Sequence, residues 1–170
     1  GTRIVRHAEL ACRHDTVGII CGNDDFGFKT QPMISPADMR EYILPWHKKI
    51  VETAHRNGKL AVIHSCGQNA SLMDDIIDYC GYDAKHSYED VIQPVEEAYE
   101  QYHDRIALVG GMDVDFLCRS TPEAVYRRAK AMLERTSERG GYALGTGNSI
   151  PTYIPREIIF AMWAAATEGR

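Results

Sequence analysis

Five short runs, all apolar but the polar third, alternate with longer amphipathic stretches along this chain, and that alternation constrains the fold more than any other feature. The runs cover residues 17–21, 60–64, 83–86, 106–110 and 142–145. Each is the length of a strand, and the stretches between them carry helical spacing. Ser35-Pro36-Ala37-Asp38 has an N-cap residue, then proline at the first helical position, then an acid near the positive end of the helix. Met39, Ile43, Trp46, Ile50 and Ala54 follow as a buried stripe, and Gly58 closes the helix. Thr121-Pro122-Glu123 repeats the start signal, with Val125, Ala129, Met132 and Leu133 behind it and Gly140-Gly141 as the stop. Shorter helices are expected over 72–79 and 94–102, and a last one opens at Ile154-Pro155-Arg156-Glu157. Strand–helix–strand repetition implies an α/β fold of about five parallel strands, because only a crossover helix joins parallel neighbours economically. The region 23–35 is the longest irregular stretch, and loops of that length in compact domains are usually functional.

His64-Ser65-Cys66-Gly67 ends the second run. Residues two apart in a strand face the same way, so His64 and Cys66 converge at a strand's C-terminal end. Parallel α/β folds build their sites at that end. An imidazole and a thiol aimed at one point suit zinc or thiol chemistry. A packed cysteine beside a hydrogen-bonded histidine gives the same pattern. Zinc needs at least three protein ligands, and the motif supplies two.

Composition narrows the function. The 170 residues are 44% hydrophobic, with a net charge of −5. A chain of this size can form a single domain over 1–170 with a core of its own. The acidity and the lack of a basic stripe argue against a nucleic-acid partner. The apolar stretches are too short to span a membrane, and no signal-peptide pattern opens the sequence. Five scattered cysteines (Cys12, Cys21, Cys66, Cys80 and Cys118) without a C-x-x-C motif fit a reducing, cytoplasmic setting. The four besides Cys66 are expected to be buried. His7, His14, His47, His55 and His103 fall on helical stretches and are expected at the surface or its boundary. Neither glycine-rich nucleotide fingerprint is present; Gly145-Thr146-Gly147-Asn148 follows the last strand but lacks the third glycine.

Four segments in order resemble the uroporphyrinogen decarboxylase superfamily, which includes zinc-dependent corrinoid methyltransferases. They are Asp24-Asp25-Phe26-Gly27 leading to Ile34-Ser35-Pro36; His64-Ser65-Cys66-Gly67; Val109-Gly110-Gly111-Met112-Asp113; and Gly145-Thr146-Gly147-Asn148-Ser149-Ile150-Pro151 with Pro155. The resemblance covers nearly the whole chain. It implies a (β/α)8 TIM barrel of about twice this length, with this chain as roughly its C-terminal half. A missing N-terminal half-barrel or a homodimer would cover the exposed strand edges.

The resemblance also implies a site. In thiol-methylating members a His-x-Cys pair ligates zinc, which makes His64 and Cys66 the metal ligands, and a later Cys completes the set. Asn148 stands at that later position and is a poor zinc ligand. A carboxylate can substitute, and Glu89, after the third strand, is the candidate. Asp113 and Asp25, at strand ends, are the candidate catalytic groups. His86 and Asn148 are candidate substrate-binding groups. Asp113 reads equally well as a helix cap. The implied activity is methyl transfer from a corrinoid, delivered by a separate protein, to a small thiol held as a zinc thiolate. Two alternatives stay open: a uroporphyrinogen decarboxylase, a carboxy-lyase of porphyrin biosynthesis that needs no metal, and a non-catalytic barrel module.

Overall fold

The computed structural model describes residues 1–168. Contacts divide the chain into two compact units, one up to His86 and one from Ser87 onward.

The first unit holds three parallel strands: β1 (Ile19–Asn23), β2 (Leu60–His64) and β3 (Ala84–His86). Asn23, His64 and His86 form one row across them, since Asn23 pairs with His64 and His64 with His86. That row closes the C-terminal ends of the strands and carries the chemistry described below. An N-terminal helix, α1 (Thr2–Ala11), precedes β1.

The long helical segment before β2 starts as expected. The Ser35 hydroxyl accepts the Asp38 N–H at 3.1 Å, and Pro36 occupies the first turn of α2 (Pro36–Asp38). It then runs through a π-helical turn, Met39–Ile43, into α3 (Leu44–Arg56). Leu44, Ile50, Val51 and Ala54 of α3 are buried, with Ala61 and Ile63 of β2 and Ile20 of β1 also in the core. The leucine, isoleucine and valine side chains among these stabilise by about 1.5–3 kcal/mol each when fully buried. Met39, Ile50 and Ala54 of the expected stripe are buried, but Ile43 and Trp46 are only half-buried, and Leu44 and His47 are buried in their place. The π turn is the cause. It widens one turn and moves the inward-facing positions next to it from Ile43 and Trp46 to Leu44 and His47.

Residues 72–79 do not form the single α-helix expected. A 3-10 turn, Ala70–Leu72, leads into a π-helical stretch, Asp75–Cys80. Leu72, Ile76, Ile77 and Cys80 still face inward, so the apolar pattern survives the change of helix type.

The second unit pairs β4 (Ala107–Val109) in parallel with β5 (Tyr142–Ala143). Its helices are α4 (Val95–Tyr102), α5 (Val114–Arg119), α6 (Pro122–Thr136) and α7 (Arg156–Thr167). Thr121 caps α6 as expected, accepting the Ala124 N–H. Met112, Leu117, Val125, Ala129, Ile158 and Met162 form the core between these helices. Arg128 of α6 clamps Asp90 at 2.6 Å and Glu96 at 2.7 Å, which ties the turn after Ser87 to the start of α4.

Two cysteines depart from expectation. Cys12 and Cys80 are buried, but Cys21 and Cys118 are exposed. Cys21 lies on the outward face of β1, whose burial alternates residue by residue.

Candidate metal centre

The strand row at Asn23, His64 and His86 places two imidazoles side by side on one face of the sheet. Their Nδ1 atoms lie 2.6 Å apart, and the rings are tilted by 35° with centroids 4.8 Å apart. A contact that short needs one Nδ1 to donate and the other to accept. The other ring nitrogen of His64, Nε2, faces the Cys66 thiol at 3.5 Å. His64 thus offers one nitrogen to its neighbouring histidine and one to the sulfur.

Asp25 joins this pair from the loop after β1. Its Oδ1 accepts the Cys66 N–H at 2.9 Å. Ligand atoms of Asp25, His64 and Cys66 all lie within 4.8 Å of one another. Ligands on a tetrahedral zinc with bonds of about 2.0–2.3 Å sit roughly 3.3–3.8 Å apart, so contraction of about 1 Å would close the group. One nitrogen, one sulfur and one carboxylate oxygen are donors that zinc accepts together.

The two loops that deliver these ligands are fastened to each other. The Phe26 N–H donates to the Ser65 hydroxyl at 3.1 Å, and the Gln68 N–H donates to the Phe28 carbonyl at 2.7 Å. The loop after β1 turns back on itself, with Gly27 bridged to Pro32 and the Met33 N–H on the Phe26 carbonyl. Phe26 is buried and packs edge-on against His47, with ring centroids 5.0 Å apart. Gly67 crosses directly over Gly27.

Beneath the Cys66 loop lies a polar layer that sequence reasoning missed. Ser65 is fully buried, and its carbonyl accepts both the Asn69 amide at 3.1 Å and the Lys85 ammonium at 3.3 Å. Lys85 is only 3% exposed, at the centre of β3. A buried ammonium one residue from Cys66 favours negative charge on the loop above it. The polar character of 83–86 was the available signal: a strand with a lysine on its inner face needs a reason for it.

His47, expected at the surface or its boundary, is 5% exposed. Its Nδ1 lies 2.8 Å from the Tyr82 hydroxyl, and its Nε2 lies 3.5 Å from Asp24. Gly22 makes room for this, because a Cβ there would collide with the Tyr82 hydroxyl. Burial holds the His47 imidazole below its ordinary pKa, against an upward pull from Asp24. The unfolded chain takes up this proton near pH 6.5, the folded chain only at lower pH. Stability is therefore complete above about pH 6.5 and falls as the pH drops below it. His47→Gln is expected to flatten the decline of the thermal midpoint between about pH 6.5 and 5. Equal slopes in the two proteins would assign the decline to other groups.

The remaining candidates lie in the second unit. Asp113 is 7% exposed and caps α5: its Oδ1 accepts from Asp115 and Phe116, and its Oδ2 accepts the Asp90 N–H at 2.8 Å. Glu89 begins the turn to α4, its carbonyl accepting the N–H groups of Ile92 and Gln93. Asn148 is exposed in the loop after β5, where its side-chain oxygen accepts the Ser149 N–H.

A family model described as uroporphyrinogen decarboxylase (URO-D) matches residues 11–169, across both units. The chain belongs to that family. Among curated proteins, this URO-D chain is 28% identical over 120 residues to a methylated-thiol–coenzyme M methyltransferase of Methanosarcina mazei, covering 70% of this chain and 31% of the relative. It is 28% identical over 126 residues to a uroporphyrinogen decarboxylase of Anaeromyxobacter sp., covering 74% of this chain and 35% of the relative. Among solved structures, a methyltransferase from Methanosarcina mazei superposes with a TM-score of 0.75 at 23% identity, covering 96% of this chain and 45% of the other. That likeness carries the fold: an α/β chain of five parallel strands in the TIM-barrel manner. The chain spans about a third of the length of these curated relatives and less than half of the solved structure. The named relatives are enzymes of two kinds, a methyltransferase and a decarboxylase. No helix among the described residues is long and apolar enough to cross a membrane.

Proposed function

We propose that this URO-D chain is part of a corrinoid-dependent methyltransferase, which moves a methyl group from a separate cytoplasmic corrinoid protein to a small thiol. The observation that carries this reading is the convergence of His64 and Cys66 at the strand ends, with Nε2 and Sγ 3.5 Å apart. A decarboxylase that works without metal has no need of that pair.

Zinc bound there would lower the pKa of an acceptor thiol and hold it as a thiolate, the nucleophilic form at neutral pH. His64 supplies Nε2 and Cys66 supplies Sγ. With Nε2 turned to the metal, the Nδ1–H of His64 donates to Nδ1 of His86. His86 thereby fixes the tautomer and the ring plane of its neighbour. Asn69 holds the loop by donating to the Ser65 and Cys66 carbonyls, and Lys85 offsets the charge from below. A carboxylate completes the protein ligands where Asn148 replaces the expected cysteine; Glu89 was the sequence's candidate for it. Asp113, with both oxygens engaged, sets the turn that carries Glu89 and Asp90.

Metal content tests this reading. Protein purified without added metal or affinity tag is expected to carry close to one zinc by elemental mass spectrometry, and Cys66→Ala to lose it. Absence of zinc after supplementation, in a protein that carries the whole barrel, would sink the mechanism. It would leave uroporphyrinogen decarboxylation, a reading supported by equal identity to the Anaeromyxobacter enzyme.

A further inference from the structure

We infer that Asp25 is the third protein ligand of the metal, so that the ligand set is complete within the first unit and requires neither Glu89 nor Asn148. The inference rests on the metal site proposed above. It departs from the sequence expectation in which Asp25 was a catalytic group and Glu89 the substitute ligand.

Three observations carry it. The ligand atoms of Asp25, His64 and Cys66 already lie within 4.8 Å of one another. The Asp25 carboxylate has a natural division of labour: Oδ1 accepts the Cys66 N–H at 2.9 Å, which leaves Oδ2 for a cation. A ligating carboxylate that is itself hydrogen-bonded is the usual arrangement at metal sites.

The third observation is the fastening of the loops. Asp25 lies two residues beyond the β1 end and immediately before Phe26, whose N–H is held by the buried Ser65 hydroxyl. Ser65 itself lies between the two other ligands, His64 and Cys66. Asp25 is exposed, but its backbone is placed by the Phe26 N–H on the buried Ser65 hydroxyl and its carboxylate by the Cys66 N–H. A preorganised donor loses less freedom on binding than one recruited from elsewhere.

Charge is consistent with this set. One thiolate and one carboxylate neutralise a divalent cation, as two thiolates would. The carboxylate donates less electron density than a second thiolate, so the metal is left a stronger Lewis acid. An acceptor thiol bound there would ionise more readily than at a two-cysteine site.

Zinc affinity measured by competition with a chelating dye tests the assignment, with the cobalt(II)-substituted protein as a second readout. Asp25→Asn keeps an oxygen for the Cys66 N–H but removes the charge. It is expected to weaken zinc binding by more than about a hundredfold, the upper end of the effect of losing a supporting hydrogen-bond partner. The metal-free thermal midpoint should stay unchanged, and the cobalt–thiolate absorption from Cys66 should persist at saturating cobalt. Glu89→Gln and Asn148→Ala are expected to leave affinity within about twofold of the parent, because neither belongs to the set. Wild-type affinity in Asp25→Asn, together with loss in Cys66→Ala, would overturn the inference and leave the metal site standing. Loss in Glu89→Gln would also overturn it. Unchanged affinity in Cys66→Ala would overturn the metal site itself.

Discussion

Cys66→Ser in a protein that carries the whole barrel is expected to cut methyl transfer to a thiol by about a thousandfold or more while leaving the fold intact. The fold should survive because of what Cys66 touches. Its thiol is half-buried and faces the His64 Nε2; its N–H on Asp25 and its carbonyl on Asn69 are backbone groups that serine retains. Activity should not survive, because serine does not ionise at neutral pH and is a poor zinc donor. A Lewis-acid metal contributes several kcal/mol to such a transition state. At 1.36 kcal/mol per decade, losing about 4 kcal/mol gives the expected factor. The assay follows loss of the methyl–cobalt absorption of methylcobalamin with excess 2-mercaptoethanesulfonate, beside a circular-dichroism melt. Near-normal turnover with an intact fold would remove the zinc–thiolate from the mechanism.

The parts of this molecule that could be read from the sequence are those in which one signal decides the structure. β2 is legible residue for residue as Leu60–His64, because its apolar run, the preceding Gly58 and the terminal histidine all coincide with the ends of its pairing. β1 was expected at 17–21 and lies at Ile19–Asn23. Its limits are set by register with β2, where Asn23 faces His64, and a polar residue recruited by its neighbour leaves no apolar trace. β4 and β5 are likewise shorter than their apolar runs, since pairing rather than hydropathy ends them. The caps at Ser35 and Thr121 were legible because a side-chain oxygen three residues before an N–H is a local matter.

His47 was misplaced for a definite reason. Extending a 3.6-residue stripe from Met39 and Ile43 puts Trp46 inside and His47 at its edge. The π turn at Met39–Ile43 breaks that phase, and no composition signal announces such a turn. The candidate metal centre divides in the same way. The pairing of His64 with Cys66 follows from strand period alone. The approach of Asp25 depends on a tertiary contact between two loops some forty residues apart, and local reading has no access to it. Adjacent acids in a strand-end loop such as Asp24-Asp25 are expected to face different ways. In the structure one faces His47 and the other faces Cys66.

That loop contact makes Gly67 the position where substitution should do most damage, and three glycines separate the causes. Gly58→Ala tests backbone strain alone: its φ is +66° and nothing lies within 4 Å of the added Cβ. A left-handed conformation costs a non-glycine residue about 1–2 kcal/mol. Gly27→Ala tests crowding alone, since its φ is not positive and its Cβ would sit 2.5 Å from the Gln68 nitrogen. Overpacking of that kind costs about 1–3 kcal/mol. Gly67→Ala combines the two: its φ is +83°, and its Cβ would land on the Gly27 carbonyl. Backbone faces backbone there, so no flexible side chain can swing aside. Its expected destabilisation is the sum, about 2–5 kcal/mol, measured by urea unfolding of the metal-free protein. The sum applies only if the loops stay together. If they part instead, the strain is relieved and stability falls less, but Asp25 moves away from His64 and Cys66. Zinc affinity in Gly67→Ala should then fall as far as in Asp25→Asn. A variant that kept both wild-type stability and wild-type affinity would mean that the Gly27–Gly67 crossing does not hold the site together.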